Sequence, residues 1–449
     1  MGDPLRTHLP HRRMLITALC LALQVSAPTQ AAEVSTGPVR VARPNVVILI
    51  ADDFGVDLVG AYGEGASPAC TENIDRLAGE GLLFRNAWAM PACSPTRASL
   101  MTGRYGFRTG IGSPVSNNDA GLLLSETTLP ELLTGYASAA VGKWHLSGGQ
   151  GDLHPNNSGF GRFAGSLRGG IPNYFQWRKT TDGQSGNVTT YATTDAADEA
   201  ILAITTLPEP WLTYVSFNAP HTPVHAPPPN LCPGSSCANS FCSGLPANPT
   251  EAEQVKAMTE AMDQEIGRVL AVLESVDPNA LVIFMGDNGT TRAATEPPFV
   301  RNHAKGTTYE GGVNVPLIIK GPGVRQGETQ ALVSTTDLYA TLAELARVRS
   351  AAEDSVSLVP VLRDPSASVR YFVYAESFSD NGGTLPLNGH QRAVRGERYK
   401  LIRETGEADE FYDLQSDPFE ANNLLPGLNA AQQAAFDALE AEFVALGVD

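Results

Sequence analysis

The sequence has few basic residues for its acidic content. It contains 31 lysine and arginine residues against 48 aspartate and glutamate residues, which gives a formal net charge of −17 over 449 residues. A chain with this balance is a poor ligand for nucleic acid or an anionic membrane surface, so we exclude both classes of partner. The same charge repels anionic substrates. Any anion must therefore be captured locally, by cationic side chains or by a metal ion.

Long hydrophobic runs are absent after the N-terminal segment, which excludes a membrane span there. The apolar run Met14–Ala27 follows three arginines and precedes small residues that end near Ala31. This pattern is typical of a cleaved signal peptide, with an uncleaved anchor as the alternative. We therefore predict a signal peptide at residues 1–31 and an exported mature protein without a membrane segment. It would be periplasmic or secreted, or lysosomal or extracellular in a eukaryote.

Cysteine is also scarce, with six residues in the chain. Cys20 belongs to the signal segment, so an odd number remains in the mature protein. Four of the remaining cysteines can form two disulfides, with three possible pairings and at least one short bridge within residues 232–242. They are Cys70, Cys232, Cys237 and Cys242. Cys93 is left over, and an odd cysteine in an exported protein needs an explanation.

Several short apolar runs predict buried strands, and helical patterns lie between some of them. The longest helical pattern is Ala252–Ser275. Strands that alternate with helices indicate an α/β fold, with a large, mostly parallel sheet flanked by helices. The predicted strands are Val46–Ile50, Ala137–Val141, Trp211–Phe217, Leu281–Met285 and Leu317–Ile319.

The pattern changes in the last fifth of the chain. Short strand-like runs extend from Tyr371–Ala375 to Phe411–Leu414, and an amphipathic helix is predicted at Ala430–Leu446. These segments predict a small C-terminal α+β subdomain at residues 366–449, made of an antiparallel sheet and a helix. The catalytic domain is then expected at residues 44–365.

Polar residues follow four of the predicted strands. In an open α/β sheet, ligands bind beyond the carboxyl ends of the strands. Four such ends that gather carboxylates, a lysine and histidines therefore indicate a single site at one edge of the sheet. In chain order these residues are Asp52 and Asp53, Lys143 and His145, His221, and Asp287 and Asn288.

Two of these strand ends carry hard oxygen ligands. Asp52, Asp53 and Asp287 supply carboxylates, and Asn288 supplies an amide oxygen. Such ligands suit calcium or magnesium rather than zinc. The alternative is that each pair only caps a helix or a turn, as Asp and Asn usually do. The recurrence of the pair after two predicted strands favours a metal site.

Cys93 begins the segment Cys-Ser-Pro-Thr-Arg. Pro95 favours the first turn of a helix and Gly103 favours a helix end, so we expect Cys93 near a helix N-terminus, where an anion or a nucleophile is stabilised. A buried or disulfide-bonded cysteine is one alternative. A thiolate phosphatase is another, but that class needs an arginine six residues after the cysteine, where this chain has Ser99.

The pattern Cys-x-Pro-x-Arg at Cys93–Arg97, followed by Leu-x-Thr-Gly, is similar to the signature of the sulfatase family. This family belongs to the alkaline phosphatase superfamily. Further elements that resemble the family follow its order between residues 44 and 425, which indicates an arylsulfatase-like enzyme. They lie at residues 45–55, 73–84, 142–146, 220–223, 286–289, 305–312 and 412–424.

The resemblance implies that a formylglycine-generating enzyme oxidises Cys93 to formylglycine. One hydroxyl of the hydrated aldehyde would attack sulfur and expel the alcohol, and the second would release sulfate and regenerate the aldehyde. One calcium ion, preferred over magnesium, would be held by Asp52, Asp53, Asp287, Asn288 and residue 93. The ion would polarise the sulfate and acidify the diol. The implied substrate is a small-molecule or carbohydrate sulfate ester.

The resemblance also implies roles for five other side chains. Arg97 would steady the nucleophile, and Lys143 and Lys305 would bind sulfate oxygens. His145 would orient or deprotonate the diol, and His221 would protonate the leaving oxygen. Taken singly, such residues are more often solvated or structural. The assignment therefore depends on their occurring together and in the order of the family's motifs.

One position departs from the family pattern. Asn314 stands where the resemblance predicts an arginine, which puts local stability or substrate choice in question. The aromatic segment Arg168–Lys179 is expected either to form a rim that stacks on an aryl group or a sugar, or to pack on its own domain.

Two other functions stay open on the sequence: a phosphonate monoester or phosphodiester hydrolase of the same superfamily, and a calcium-stabilised binding protein without catalysis.

Overall fold

The computed structural model describes residues 43–234, 237 and 239–448. The predicted signal peptide at residues 1–31 lies outside them. Within the described part of the chain, no helix combines the length and the apolar composition that crossing a membrane requires. The predicted α/β fold, with a large mostly parallel sheet and a smaller antiparallel sheet, is confirmed.

Ten strands form the large sheet. In chain order they are β1 (Val46–Ala51), β2 (Leu82–Trp88), β3 (Ala137–Lys143), β4 (Arg162–Ser166), β5 (Trp177–Thr181), β6 (Gln184–Val188), β7 (Trp211–Ser216), β8 (Leu281–Gly286), β9 (Leu317–Lys320) and β10 (Gly327–Ser334). Their order across the sheet is β10-β2-β9-β8-β1-β7-β3-β4-β5-β6. The five central strands, from β8 to β4, run parallel to one another. Their carboxyl ends therefore meet at one edge.

Strand β1 explains why the central strands read as unbroken apolar runs. All six of its residues are buried. Val47 and Leu49 join one apolar cluster, whereas Ile48 and Ile50 join another on the opposite face. A parallel strand that is covered on both faces needs apolar side chains at every position. This requirement made β1, β3, β7 and β8 recognisable in the sequence, whereas β4 was not predicted.

Helices cover both faces of the sheet. They are α1 (Glu72–Glu80), α2 (Cys93–Thr102), α3 (Gly106–Thr109), α4 (Leu129–Leu132), α5 (His154–Asn157), α6 (Ala192–Thr206), α7 (Glu251–Val276), α8 (Glu310–Val313), α9 (Asp337–Leu345), α10 (Val359–Arg363) and α11 (Ala430–Leu446). Helices α1, α6 and α7 contribute to one apolar cluster, and α2, α4, α9 and α10 contribute to the other. The longest, α7, extends one residue beyond each end of the helix predicted at Ala252–Ser275.

The second sheet is antiparallel, in the order β11 (Val373–Ser377), β12 (Gln391–Arg395), β13 (Tyr399–Glu404) and β14 (Glu410–Asp413). Helix α11 has its predicted bounds and packs Phe436 against Phe411, with ring centroids 5.5 Å apart. Strand β11 begins later than predicted, because Tyr371 is 93% exposed and lies outside the sheet. The division at residues 365 and 366 stays a prediction.

Two disulfides join the four predicted cysteines. Cys70 pairs with Cys237, and Cys232 pairs with Cys242, so the predicted short bridge is confirmed. Glu260 of α7 fixes the same region, because its carboxylate accepts hydrogen bonds from the backbone N–H groups of Cys70, Phe241 and Cys242. Cys93 is the free cysteine of the described chain, and it is buried.

Candidate active site

The site residues predicted from the sequence lie together at the carboxyl edge of the parallel strands. Their side chains come from the ends of β1, β3, β7 and β8, from the start of α2 and from the loop before α8. In that order they are Asp52 and Asp53, Lys143 and His145, His221, Asp287 and Asn288, Cys93 and Arg97, and Lys305.

Arg97 ties helix α2 to three of these strand ends. Its side chain is fully buried. Nε and Nη2 donate to Oδ2 of Asp287 at 3.1 and 2.7 Å. Nη1 donates to the carbonyl of Lys143 at 2.9 Å and to Oγ of Ser216 at 2.5 Å. Because a buried guanidinium without partners is strongly destabilising, these contacts hold α2, and with it Cys93, at a fixed position.

The carboxylates form a compact oxygen cluster. The backbone N–H of Asp53 donates to Oδ1 of Asp287, and Nδ2 of Asn288 donates to Oδ1 of Asp53, both at 3.0 Å. Among the residues that the structure describes, the buried Oδ1 atoms of Asp52 and Asn288 have no hydrogen-bond partner. Ligand atoms of Asp52, Asp287 and Cys93 lie within 4.8 Å of one another. Orphaned oxygens in such a cluster fit a hard divalent cation.

Two lysines compensate the carboxylates. Nζ of Lys143 lies 2.5 Å from Oδ2 of Asp52, with both side chains fully buried. Nζ of Lys305 contacts Oδ1 of Asp53. Burial alone would raise the pKa of Asp52, but the positive charge of Lys143 and of other nearby cations holds that pKa below its ordinary value. Arg97 pairs with Asp287 in the same way, so the three carboxylates are matched by three cations.

His145 directs one ring nitrogen at Cys93. Nδ1 lies 3.1 Å from the Cys93 Sγ, and Nε2 lies 3.2 Å from the carbonyl oxygen of Val115. A carbonyl only accepts, so Nε2 carries the proton. Burial and the positive charge of Lys143 lower the pKa of His145 well below its usual value, which keeps the ring neutral. The lone pair of Nδ1 therefore faces residue 93.

A short segment lies against both imidazoles, and we call residues 168–175 the strap. A Cβ atom on Gly169 would lie 2.2 Å from Cε1 of His145, and one on Gly170 would lie 3.5 Å from Cε1 of His221. The Tyr174 hydroxyl anchors the strap, because it lies 2.7 Å from the His221 carbonyl oxygen. Sequence reasoning missed this role of Gly169. The Gly-Gly pair after β4 is the one signal that could have revealed it.

The aromatic segment around the strap mostly packs inward. Tyr174 and Trp177 are buried, so neither forms the rim that was one expectation for this segment. Phe175 is 43% exposed and packs against Tyr191 and His225, with centroids 5.1 and 5.3 Å away. Phe175 is therefore the aromatic side chain of the strap that can meet a ligand.

Asn314 occupies the position where an arginine was expected. Its Nδ2 donates to the carbonyl of Arg85 at 3.3 Å, while its Oδ1 is buried and unpaired within the described chain. The neighbouring Glu310 receives its positive partners from the second sheet instead. Arg395 donates to it at 2.8 Å and Lys400 at 3.1 Å. The Glu310 carboxylate is thus neutralised without an arginine at position 314.

Known proteins are similar to this chain in both sequence and fold. Residues 44–348 match the family model Sulfatase, and residues 301–445 match the model N-sulphoglucosamine sulphohydrolase, C-terminal. Arylsulfatase G of Rattus norvegicus is 32% identical over 440 residues, which cover 83% of this chain and 78% of the relative. N-acetylgalactosamine-6-sulfatase of Homo sapiens is 32% identical over 368 residues, which cover 71% and 66%.

A solved structure also resembles this chain in its fold. The crystal structure of Ps i-CgsB in complex with k-i-k-neocarrahexaose superposes with a TM-score of 0.77 at 25% sequence identity. The superposition covers 90% of this chain and 92% of the other.

The contact between Gly169 and His145 generates a prediction about stability. Gly169→Ala should lower the free energy of unfolding by about 1–3 kcal/mol, because the added methyl group overlaps the imidazole and must displace it. Gly186→Ala is the matched control, since a Cβ atom there meets nothing within 4 Å. Urea unfolding measures both variants. Equal unfolding free energies for the two would contradict the close contact.

Proposed function

Because the chain belongs to the sulfatase family of the alkaline phosphatase superfamily, and is therefore a sulfuric ester hydrolase, we propose that residue 93 acts as a formylglycine beside one calcium ion. The observation that carries this proposal is the state of Cys93. The other four cysteines of the described chain are paired, whereas Cys93 is free and lies among carboxylates and beside His145. A buried reactive position of this kind supports a modified nucleophile rather than a structural cysteine.

The proposed proton transfers use two histidines on either side of the reacting sulfate. The hydrated aldehyde at residue 93 supplies one hydroxyl that forms the new O–S bond and a second that restores the aldehyde as sulfate leaves. His145, with its Nδ1 lone pair facing residue 93, accepts the hydroxyl proton. Nδ1 of His221 lies 2.8 Å from the carbonyl oxygen of Thr222 and so carries hydrogen. Nε2 can protonate the leaving oxygen only if it carries a second proton, so the proposed acid is the imidazolium form of His221.

The proposed ion would be held by Asp52, Asp53, Asp287, Asn288 and residue 93. When bound, it polarises the sulfate and acidifies the diol. The three carboxylates and the three nearby cations cancel formally, so a divalent ion brings the cluster to a net charge of +2. Lysine ammonium groups that now bind carboxylates would then turn to the sulfate oxygens. This excess of positive charge suits a monoanionic ester and its transition state.

We also propose that the protein is exported, with residues 1–31 as its signal peptide, and that a formylglycine-generating enzyme matures it. The two disulfides support this proposal, since such bonds persist in oxidising compartments. The catalytic domain would be residues 44–365, and the C-terminal subdomain residues 366–449.

For the substrate we propose a sulfate ester of a ring alcohol, either an aryl compound or a sugar. The relatives named arylsulfatase G and N-acetylgalactosamine-6-sulfatase support these two classes. Phe175 supports a ring on the leaving-group side, because it is exposed and adjoins Tyr174, whose hydroxyl contacts the backbone of His221. An exposed phenyl face at this position can stack on either kind of ring.

The modification at residue 93 can be read by mass. The tryptic peptide of active protein that ends at Arg97 should show an aldehyde in place of the thiol, and it should react with a hydrazine probe. Cys93→Ala should lack both the aldehyde and turnover of 4-nitrophenyl sulfate. A fully active protein whose Cys93 is entirely an unmodified thiol would refute the mechanism.

Metal binding can be tested separately from turnover. Asp52→Asn keeps the side-chain volume but removes one proposed ligand charge, so elemental analysis should find calcium reduced from about one ion per chain. The rate should fall by roughly 10² or more, because a site that stabilises charge is weakened. Asp263→Asn is the control, since this buried carboxylate binds backbone N–H groups of α1 and should not alter metal content. Unchanged calcium in Asp52→Asn would remove Asp52 from the site.

The proposed ring contact predicts a change in KM. Phe175→Ala should raise KM for 4-nitrophenyl sulfate by about 3- to 10-fold and leave kcat within about twofold, as loss of one stacking contact would do. Leu202→Ala is the control, because Leu202 is equally exposed at 43% but lies on α6. Identical KM values for the two variants would argue against stacking on Phe175.

A further inference from the structure

A cavity that is separate from the candidate active site lies where the large sheet meets the second sheet. Its volume is about 320 Å³, and none of the proposed catalytic or metal-binding residues lines it. The polar part of its wall includes Glu64, Arg85, Asn314 and Arg395, and the apolar part includes Phe299 and Phe419. The cavity is therefore a polar pocket with one apolar face.

Two hydrogen-bond acceptors on this wall lack a donor. Asn314 is 7% exposed, and since its Nδ2 donates to the Arg85 carbonyl, its unpaired Oδ1 is left as an acceptor. The Glu64 side chain is 29% exposed and has no hydrogen bond to another described residue, and its contact with Nη1 of Arg85 is long, at 3.9 Å. A ligand that satisfies both groups must supply N–H or O–H donors.

The cations on the wall are already engaged. Arg85 donates to both carboxylate oxygens of Glu328, at 3.0 and 2.8 Å, and to a backbone carbonyl at 2.6 Å. Arg395 donates to Glu310 and Asn86, both at 2.8 Å. Its Nε has no partner among the described residues, and a water molecule can accept from it. Arg85 therefore compensates Glu64 only through its charge, at 3.9 Å, and no hydrogen bond joins the two side chains.

We propose that this cavity binds a guanidinium or primary ammonium group carried on a short apolar stem. The cationic end would bind Glu64 and Oδ1 of Asn314. The stem would lie on the apolar face, where Phe299 and Phe419 meet edge to face at 5.1 Å. The wall offers acceptors at one end and aromatic surface at the other, which is the complement of such a ligand.

The ionisation of Glu64 is consistent with a missing positive partner. Partial burial raises the pKa of Glu64 to about 7, the negative charges of Glu310 and Asp57 add to that rise, and the positive charges of Arg85 and Arg395 offset it only in part. Because the folded-state pKa lies above the unfolded value, the folded state gains from protonation at low pH. It loses that gain as the pH rises through about 7. At pH 8 the carboxylate is charged and undercompensated, so a bound cation should stabilise the fold.

Thermal unfolding of the full chain at pH 8 tests the proposal. Butylguanidinium chloride at millimolar concentration should raise Tm by about 1–3 °C, and butylurea, its neutral analogue, should not. Glu64→Gln should abolish the response to butylguanidinium and should itself unfold at a higher temperature than the wild type at pH 8. Asn314→Arg should raise Tm and abolish the same response, because it places a guanidinium on the cavity wall.

The two substitutions should also depend on each other. In the Glu64→Gln background, Asn314→Arg should lose its stabilising effect, since its partner is gone. A butylguanidinium response that persists in Glu64→Gln, or its absence in the wild type, would overturn the proposal. If Asn314→Arg does not fold, the comparison of wild type with Glu64→Gln still decides.

A second arm distinguishes the source of the cation. Acetyl-Ala-Arg-Ala-amide carries the same group on a peptide backbone. A Glu64-dependent response to butylguanidinium alone identifies a free small molecule as the ligand. A response to both compounds identifies a cavity that also admits an arginine side chain of a polypeptide. A response to neither compound rejects the site.

Discussion

The buried guanidinium of Arg97 is the interaction on which the arrangement of the active site depends. It sits on the helix that begins with Cys93 and bonds to the ends of three parallel strands, through Asp287, Lys143 and Ser216. Each of these bonds would leave a buried charge or polar group unsatisfied if the helix moved. Cys93 is therefore held against the carboxylate cluster by the same side chain that links the strand ends. The hydrogen bonds of Arg97 therefore stabilise the fold and position the site residues at the same time.

Local charge explains how an acidic protein can accept an anion. The chain carries a net charge of −17, yet the sheet edge gathers two buried cations and one partly exposed cation around three carboxylates. Pairs such as Lys143 with Asp52 are shielded from solvent, so their fields are weakly screened and act over the pocket. In our proposal, the three carboxylates would hold a divalent ion, and the lysines would then be free to bind the substrate. The distant surface charge matters much less at such short range.

The sequence predicted those features that depend on short segments. Asp287 follows a strand that is buried on both faces, so an unbroken apolar run marked both the strand and its end. The start of α2 near Cys93 was likewise marked by Pro95, and its end by Gly103. Contacts between distant segments left no such local pattern. The overlap of Gly169 with His145, the link from Cys70 to its disulfide partner, and the inward packing of Tyr174 all arise only when the chain is folded. His145 also adopts a left-handed backbone, with φ of 60°, that no side-chain pattern indicates.

The strap shows that a site can contain all of its reactive groups and still fail to align them. Its glycine leaves no room for a side chain next to the imidazole that faces residue 93. A related chain could keep every nucleophile, ligand and proton donor of the signature and still carry a larger residue at this point. Such a chain would pass any motif-based test of activity while its imidazole was turned away from the nucleophile. The strap position thus offers a criterion for recognising pseudoenzymes that their catalytic motifs would disguise.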